Sequence, residues 1–180
     1  MRHDIRFSGS GGRGIITAGI ILAQAAAIKA GKNAVQSQSY GPEARGGASK
    51  AEVIISDNEI NYPKIVSPDI VISLTQEAYN KYAVDLKDNA VIIVDNTLVH
   101  EYKQDGHTIY KVPITSSVKE LLGSAVSANI ATLGVLNEIC KILEHEWLLE
   151  VIVGNFPERA AESNTKAYNL GVELAKKAMG

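Results

Sequence analysis

Two short stretches of the chain, "DIVISL" from Asp69 to Leu74 and "AVIIVDN" from Ala90 to Asn96, are apolar almost without a break. A strand with one wet face alternates apolar and polar residues. A continuous run of this length therefore marks a strand covered on both faces, the condition of a parallel sheet between helices. Other segments fit that frame: Asp4 to Ser8 reads as a first strand, "NAVQSQS" and "ASKAEVIIS" as two more, and "TIYKVP" as another. Helical patterns fall between them, from Ile15 to Lys32 closed by Gly31, from Gln76 to Tyr82, and from Ser116 to Leu122. A longer helix runs from Ala128 to about Leu143 with Ser127 as its N-cap, and Pro157 opens a last one that continues to Met179. The expectation is an α/β fold in which residues 1–180 form a single domain, a mostly parallel sheet covered by helices, Rossmann-like with a glycine-rich first βα loop. No repeat, low-complexity tract or linker divides it.

The helix from Ile15 is apolar nearly all the way round, since its polar members before the end are Thr17, Gln24 and Lys29. It needs cover beyond one sheet face. Helices of its own domain or another subunit could supply it, and Ile21 is the expected outward member on the second reading.

Composition removes several classes of function. Cys140 is the only cysteine, so the chain holds no internal disulfide, no thiolate zinc cage and no iron–sulfur site of its own. A formal net charge of -2 gives no field for nucleic acid or an anionic membrane. No run of eighteen apolar residues occurs and no apolar signal opens the chain, which points to the cytoplasm. His3, His100, His107 and His145 are scattered without metal-ligand spacing and read as surface residues.

Chemistry concentrates in two loops. "SGSGGRG" from Ser8 to Gly14 places Gly9, Gly11 and Gly14 between a strand and a helix, where backbone N–H groups and a helix N-terminus can hold a phosphate. A dinucleotide site would want an acidic residue at the end of the second strand, which here ends Gln36-Ser37-Gln38-Ser39. A Walker loop would want lysine where Ile15 stands, and a nucleophile elbow would want glycine at Ser8. The glycines serve either a tight strand-to-helix turn or an anion, and Arg13 favours the anion. In the second loop, "SYGPEARGG" from Ser39 to Gly47, Gly41-Pro42 sets a turn, Gly46-Gly47 permits close backbone approach, and Arg45 supplies a cation for a ligand, a neighbouring subunit or Glu43. Both loops are expected at one edge of the sheet. Asn129 and Asn164 by themselves read as hydrogen-bonded core asparagines.

Taken together, "SGSGGRGIITAG", "SQSYGPEARGG", "VSANIATLG" and "NTKAYNLG" resemble, in order and spacing, the gamma subunit of 2-oxoacid:ferredoxin oxidoreductases, and the second motif is most similar to the 2-oxoglutarate branch. The resemblance implies one part of a multisubunit enzyme that converts a 2-oxoacid and coenzyme A to acyl-CoA and carbon dioxide while reducing ferredoxin. It implies alpha and beta subunits as partners, with delta a further candidate. It places thiamine diphosphate, magnesium and the iron–sulfur clusters in those partners, leaves this chain without a bound cofactor or catalytic residue of its own, and brings coenzyme A to it as co-substrate. The residues it assigns to that contact are Gly9, Ser10, Gly11, Gly12, Arg13, Gly14, Ser39, Tyr40, Gly41, Arg45, Gly46, Gly47 and Asn129. The competing expectation, from the glycine loop alone, is a free-standing nucleotide- or coenzyme A-binding regulatory module.

Overall fold

The computed structural model describes residues 1–11, 13–39, 47–103 and 105–180. Its strands are β1 (Arg2–Ser10), β2 (Asn33–Gln38), β3 (Ala48–Ser56), β4 (Ile70–Ser73), β5 (Val91–Asp95) and β6 (Thr108–Val112), joined in one sheet of order β2-β3-β1-β4-β5-β6. The pairs β1–β4, β4–β5 and β5–β6 are parallel, as the two apolar runs require. The pairs β2–β3 and β3–β1 are antiparallel. Residues 39–47 are too few for a parallel crossover, which takes about a dozen, so β2 and β3 close as a hairpin. β3 thus lies where a doubly wound sheet would put β2.

The helices are α1 (Arg13–Gln24), which continues as one π turn over Ala25–Lys29, then α2 (Gln76–Tyr82), α3 (Ile114–Leu122), α4 (Ala128–Cys140), α5 (His145–Gly154) and α6 (Ala161–Met179). Strand alternation sorts them. Ile5 and Phe7 of β1 with Ala51, Val53 and Ile55 of β3 point to the face that carries α1 and α3 to α6, the main core. The alternate residues Asp4, Arg6, Ser8 and Glu52 are also buried, on the opposite face, where Tyr79 of α2 with Ile92, Val94 and Val99 forms a smaller core. There the Arg6 Nε donates to Glu52 Oε2 at 3.1 Å and another guanidinium nitrogen donates to the Tyr82 carbonyl at 3.1 Å. A cation at the C-terminus of α2 suits the helix dipole, and it ties that helix to β1.

The sheet, α4 and α5 of the same chain cover α1. Ile21 is fully buried, not outward; the exposed members of this segment are Ile20 and, at 73 %, Ile28. α5 has no counterpart in the sequence pattern, because Glu144 caps it without a side-chain hydrogen bond and its residues are apolar on most sides. His145, at its start, is no mere surface residue. Its Nδ1 lies 2.7 Å from the Tyr168 hydroxyl and its Nε2 2.9 Å from Glu138 Oε2, while Asn137 donates to the Tyr168 oxygen at 3.2 Å and to the Leu143 carbonyl at 2.9 Å. Burial pushes the Tyr168 phenol up to about 12, so it stays a neutral hydrogen-bond partner at ordinary pH. Hydrogen bonding to Lys141, and then to His145, holds Glu138 below the usual carboxylate range. No helix among the described residues is long and apolar enough to cross a membrane.

α4 and α6 touch backbone to backbone. A Cβ on Gly171 would stand 2.0 Å from the Ala131 carbonyl oxygen, and one on Gly134 would stand 2.2 Å from that of Tyr168. Gly171→Ala and Gly134→Ala should each force the helices apart and lower the unfolding free energy by about 1–3 kcal/mol or more in urea titrations. Gly154→Ala, whose Cβ meets nothing within 4 Å, should be neutral or stabilising by up to about 1 kcal/mol. Equal effects at all three positions would refute the close crossing.

Candidate functional site

β1 ends at Ser10 and turns through Gly11, whose φ of +74 suits glycine and strains other residues. The Gly11 N–H donates to the Gly47 carbonyl at 3.3 Å. That one bond joins the glycine loop to the residue that ends the second loop, so the two special stretches do share an edge. They share it through β3 rather than through β2. Ser39 closes the other side of the hairpin mouth: its N–H donates to the Lys50 carbonyl at 3.0 Å and its hydroxyl accepts from the Lys50 N–H at 3.2 Å.

Gly9 lets α1 sit close over the strand end, since a Cβ there would stand 3.3 Å from the Ile15 Cγ2. Gly14 does the same for α4, with the Asn129 Cβ 3.5 Å from the Cβ it lacks. Asn129 Nδ2 then donates to the Gly14 carbonyl at 3.3 Å and locks the first turn of α4 against the first turn of α1. It is half-buried, a bridge between helix starts and no core asparagine. Between these parts opens a cleft of about 240 Å³, bounded by Gly9, Ser10, Gly14 and Asn129 together with Leu74, Thr75, Leu98 and Val126. Of the last four, Val126 opens the motif "VSANIATLG", while Leu74, Thr75 and Leu98 lie outside the four motifs. Of the remaining residues assigned from sequence, Arg13 opens α1, with its side chain outside the description, and Gly12, Tyr40, Gly41, Arg45 and Gly46 lie outside the described residues.

Ser127 stands at the N-cap of α4 but does not cap it; its hydroxyl donates to Asn164 Oδ1 at 3.3 Å. On that side of Asn129 lies a second cleft of about 430 Å³. A larger one, about 570 Å³, lies on the α2 face among Tyr79, Ile92, Tyr102 and His107, on the opposite side of the sheet from Asn129. Among the described residues no three of His, Cys, Asp and Glu gather as metal ligands. Burial pushes the Cys140 thiol up to about 12, far from the thiolate that a cluster would need.

Residues 4–174 match the family described as pyruvate ferredoxin/flavodoxin oxidoreductase. The 2-oxoglutarate synthase subunit KorC of Methanocaldococcus jannaschii is 47 % identical over 178 residues, covering 98 % of this chain and 95 % of its own. The fold superposes with a TM-score of 0.91 on the gamma subunit of the keto/oxoacid ferredoxin oxidoreductase from Geobacter sulfurreducens, at 42 % identity over 99 % of this chain and 98 % of that one. It also superposes, with a TM-score of 0.87 and 27 % identity, on the 2-oxoglutarate:ferredoxin oxidoreductase from Magnetococcus marinus with 2-oxoglutarate, coenzyme A and succinyl-CoA bound. That match covers 98 % of this chain and 31 % of the other, where the same fold is one part of a longer polypeptide. On this evidence the chain belongs to the pyruvate ferredoxin/flavodoxin oxidoreductase family, as the gamma subunit of a multisubunit 2-oxoacid oxidoreductase.

Proposed function

We propose that this gamma subunit serves a 2-oxoglutarate:ferredoxin oxidoreductase and forms the coenzyme A side of its active site. The reaction joins 2-oxoglutarate and the coenzyme A thiol into succinyl-CoA, releases carbon dioxide and a proton, and passes two electrons to ferredoxin. The 47 % identity to a 2-oxoglutarate synthase subunit supports the substrate. The hydrogen bond from Gly11 to Gly47 carries the coenzyme A reading, because it brings the glycine loop, the start of α1 and the end of the arginine-bearing loop to one edge. A phosphate there meets helix N–H groups and, two residues before Gly47 in the sequence, the guanidinium of Arg45.

Thiamine diphosphate with magnesium, in the partner subunits, supplies the carbanion chemistry of decarboxylation, and clusters there carry the electrons. The residues of this chain do not fit a cluster, since one half-buried thiol cannot replace four thiolates. Its own part is to bind and orient: Gly9 and Gly14 admit close helix approach, Asn129 fixes the two helix starts relative to each other, and the loop edge presents donors. The gamma Ser10 and Ser39 hydroxyls, with Gly12, Arg13, Tyr40, Gly41 and Gly46, complete the contact set in this reading. Alpha and beta subunits, and a delta subunit, would assemble around it in the cytoplasm, and ferredoxin would dock on the complex.

The isolated chain should show no turnover, and the native complex purified through a tag on it should reduce viologen fastest with 2-oxoglutarate. Pyruvate, 2-oxoisovalerate and indolepyruvate are the comparison substrates, and a higher kcat/KM for any of them overturns the substrate assignment.

Arg45→Ala in the assembled enzyme should raise the KM for coenzyme A by about ten- to a hundredfold, the loss of a charge-assisted hydrogen bond worth about 1.5–3 kcal/mol. Single-turnover decarboxylation without coenzyme A should stay near the parent value, and Arg45→Lys should restore part of the loss because an ammonium lacks the planar fork. Equal slowing of both halves, or loss of assembly, makes Arg45 a brace instead.

A further inference from the structure

The cleft of about 570 Å³ on the α2 face is larger than both clefts near the glycine loop and shares no residue with them. Its volume falls in the range of about 300–1,000 Å³ that holds a small organic molecule. Its floor, with Ala83, Leu86 and Ile92, continues the smaller core. The wall beside that floor is fixed before any ligand arrives. Gln76 Oε1 accepts from the His100 N–H at 2.8 Å and the Glu101 N–H at 2.9 Å, and Gln76 Nε2 donates to the Glu101 carbonyl at 2.7 Å. The hydroxyl of the buried Tyr79 accepts from the Lys103 N–H at 2.9 Å. Through these bonds α2 pins the segment that brings Tyr102 to the cleft.

Two independent observations say what the cleft takes. His107 lines it just ahead of β6, and the Nδ1 of this imidazole is buried without a hydrogen-bond partner. Buried polar atoms are normally paired, with the protein or with something bound. Rotation about the Cβ–Cγ bond turns that nitrogen to a ligand, whose N–H can donate to it. The second observation is charge. Asp85, Glu101 and Asp105 line the cleft with Lys103 as the one lining ammonium, and none of these four is in an ion pair among the described residues. The surplus is negative, which disfavours phosphates and favours a cation. The aromatic wall has the same preference: Lys111, from outside the lining, already holds its Nζ 4.7 Å from the centroid of the Tyr102 ring.

We propose that this cleft is a second ligand site, for a small organic cation that carries a primary amine on an apolar or aryl body. The ammonium is held by the carboxylates and by His107, and the body lies on Ala83, Leu86 and Ile92 beside the two tyrosines. Coenzyme A, a polyanion, does not suit it. The site stands on the far side of the sheet whether or not coenzyme A binds at the glycine-loop edge.

Saturation-transfer NMR on the assembled enzyme tests this with three probes of one shape: 2-phenylethylamine, 2-phenylethanol and phenylacetate. The amine should bind about tenfold or more tightly than the alcohol, and the acid most weakly. Asp85→Asn combined with Glu101→Gln should raise the Kd of the amine about tenfold and that of the alcohol less than about twofold. Asparagine suits the φ of +55 at Asp85, so the pair of changes spares the backbone. His107→Phe keeps a ring and removes the nitrogen, and should raise the Kd of the amine about two- to tenfold. Lys103→Gln removes the lining ammonium and should tighten the amine about two- to fivefold, a gain that misfolding cannot mimic. The site is overturned if the three probes bind alike, or if no lining variant moves the Kd of the amine. It is also overturned if the amine binds the free chain but not the assembled enzyme, which makes the cleft a contact between subunits.

Discussion

The backbone contact between α4 and α6 sets most of what surrounds the candidate site. With glycine at 134 and 171, the carbonyls of Tyr168 and Ala131 occupy space that side chains would otherwise fill. Contacts advance along both helices in the same direction: Ser127 meets Asn164 one to two turns before Gly134 and Gly171 meet the opposite backbone. The helices therefore run parallel, and parallel helices bring their N-termini together. Two adjacent positive helix ends repel, so this arrangement costs energy unless something negative or an extended contact offsets it. Tight packing along the seam, the Asn137–Tyr168–His145–Glu138 network at its far end, and the Ser127 bond at its near end all act to hold it.

The antiparallel insertion of β3 has the matching effect at the sheet. In a doubly wound sheet the loops after the first and second strands meet because their strands are neighbours. Here the start of β3 pairs with the end of β1, Ala48 with Ser10, and carries the second loop to the same place from the other direction. The hairpin also hands β1 a partner whose side chains are charged on the α2 face. Arg6, Glu52 and Lys50 can be buried or half-buried there because each charge has a partner: Glu52 accepts from Arg6 and lies 2.8 Å from Lys50.

β4 and β5 were legible because their burial is nearly continuous and they fall within the two apolar runs, whereas β2 and β6 are half-exposed and were read from their strand-like composition. The two C-terminal motifs, "VSANIATLG" and "NTKAYNLG", were legible as motifs but not as the two sides of one seam, since nothing local in a sequence says which glycines face each other. α5 escaped because its start has no side-chain cap and its apolar residues show little sidedness, and the buried network at His145 escaped because its members are separated along the chain. Ile21 was misplaced for a related reason: an almost uniformly apolar helix carries no polar stripe to show which way it faces, and only the packing of α4 and α5 over α1 decides it. Of the site, the glycine loop and its neighbour were visible from spacing. The convergence of Leu74, Thr75 and Leu98 on it was not, because loop ends from different elements meet only in space.

The size of the clefts bears on how much of the binding this subunit can do. A pocket that buries most of a drug-sized ligand holds about 300–1,000 Å³, and the glycine-loop cleft has about 240 Å³. Its rim carries two exposed apolar side chains, Val126 at 85 % and Leu98 at 43 %. A co-substrate of coenzyme A's length would rest across this edge with one side uncovered. In the proposed reading the chain therefore supplies oriented donors and a shaped floor, and the walls that exclude water from the thioester-forming end belong to the neighbouring subunits. Affinity for coenzyme A is then a property of the assembly, built on helix starts that this subunit holds rigidly in place.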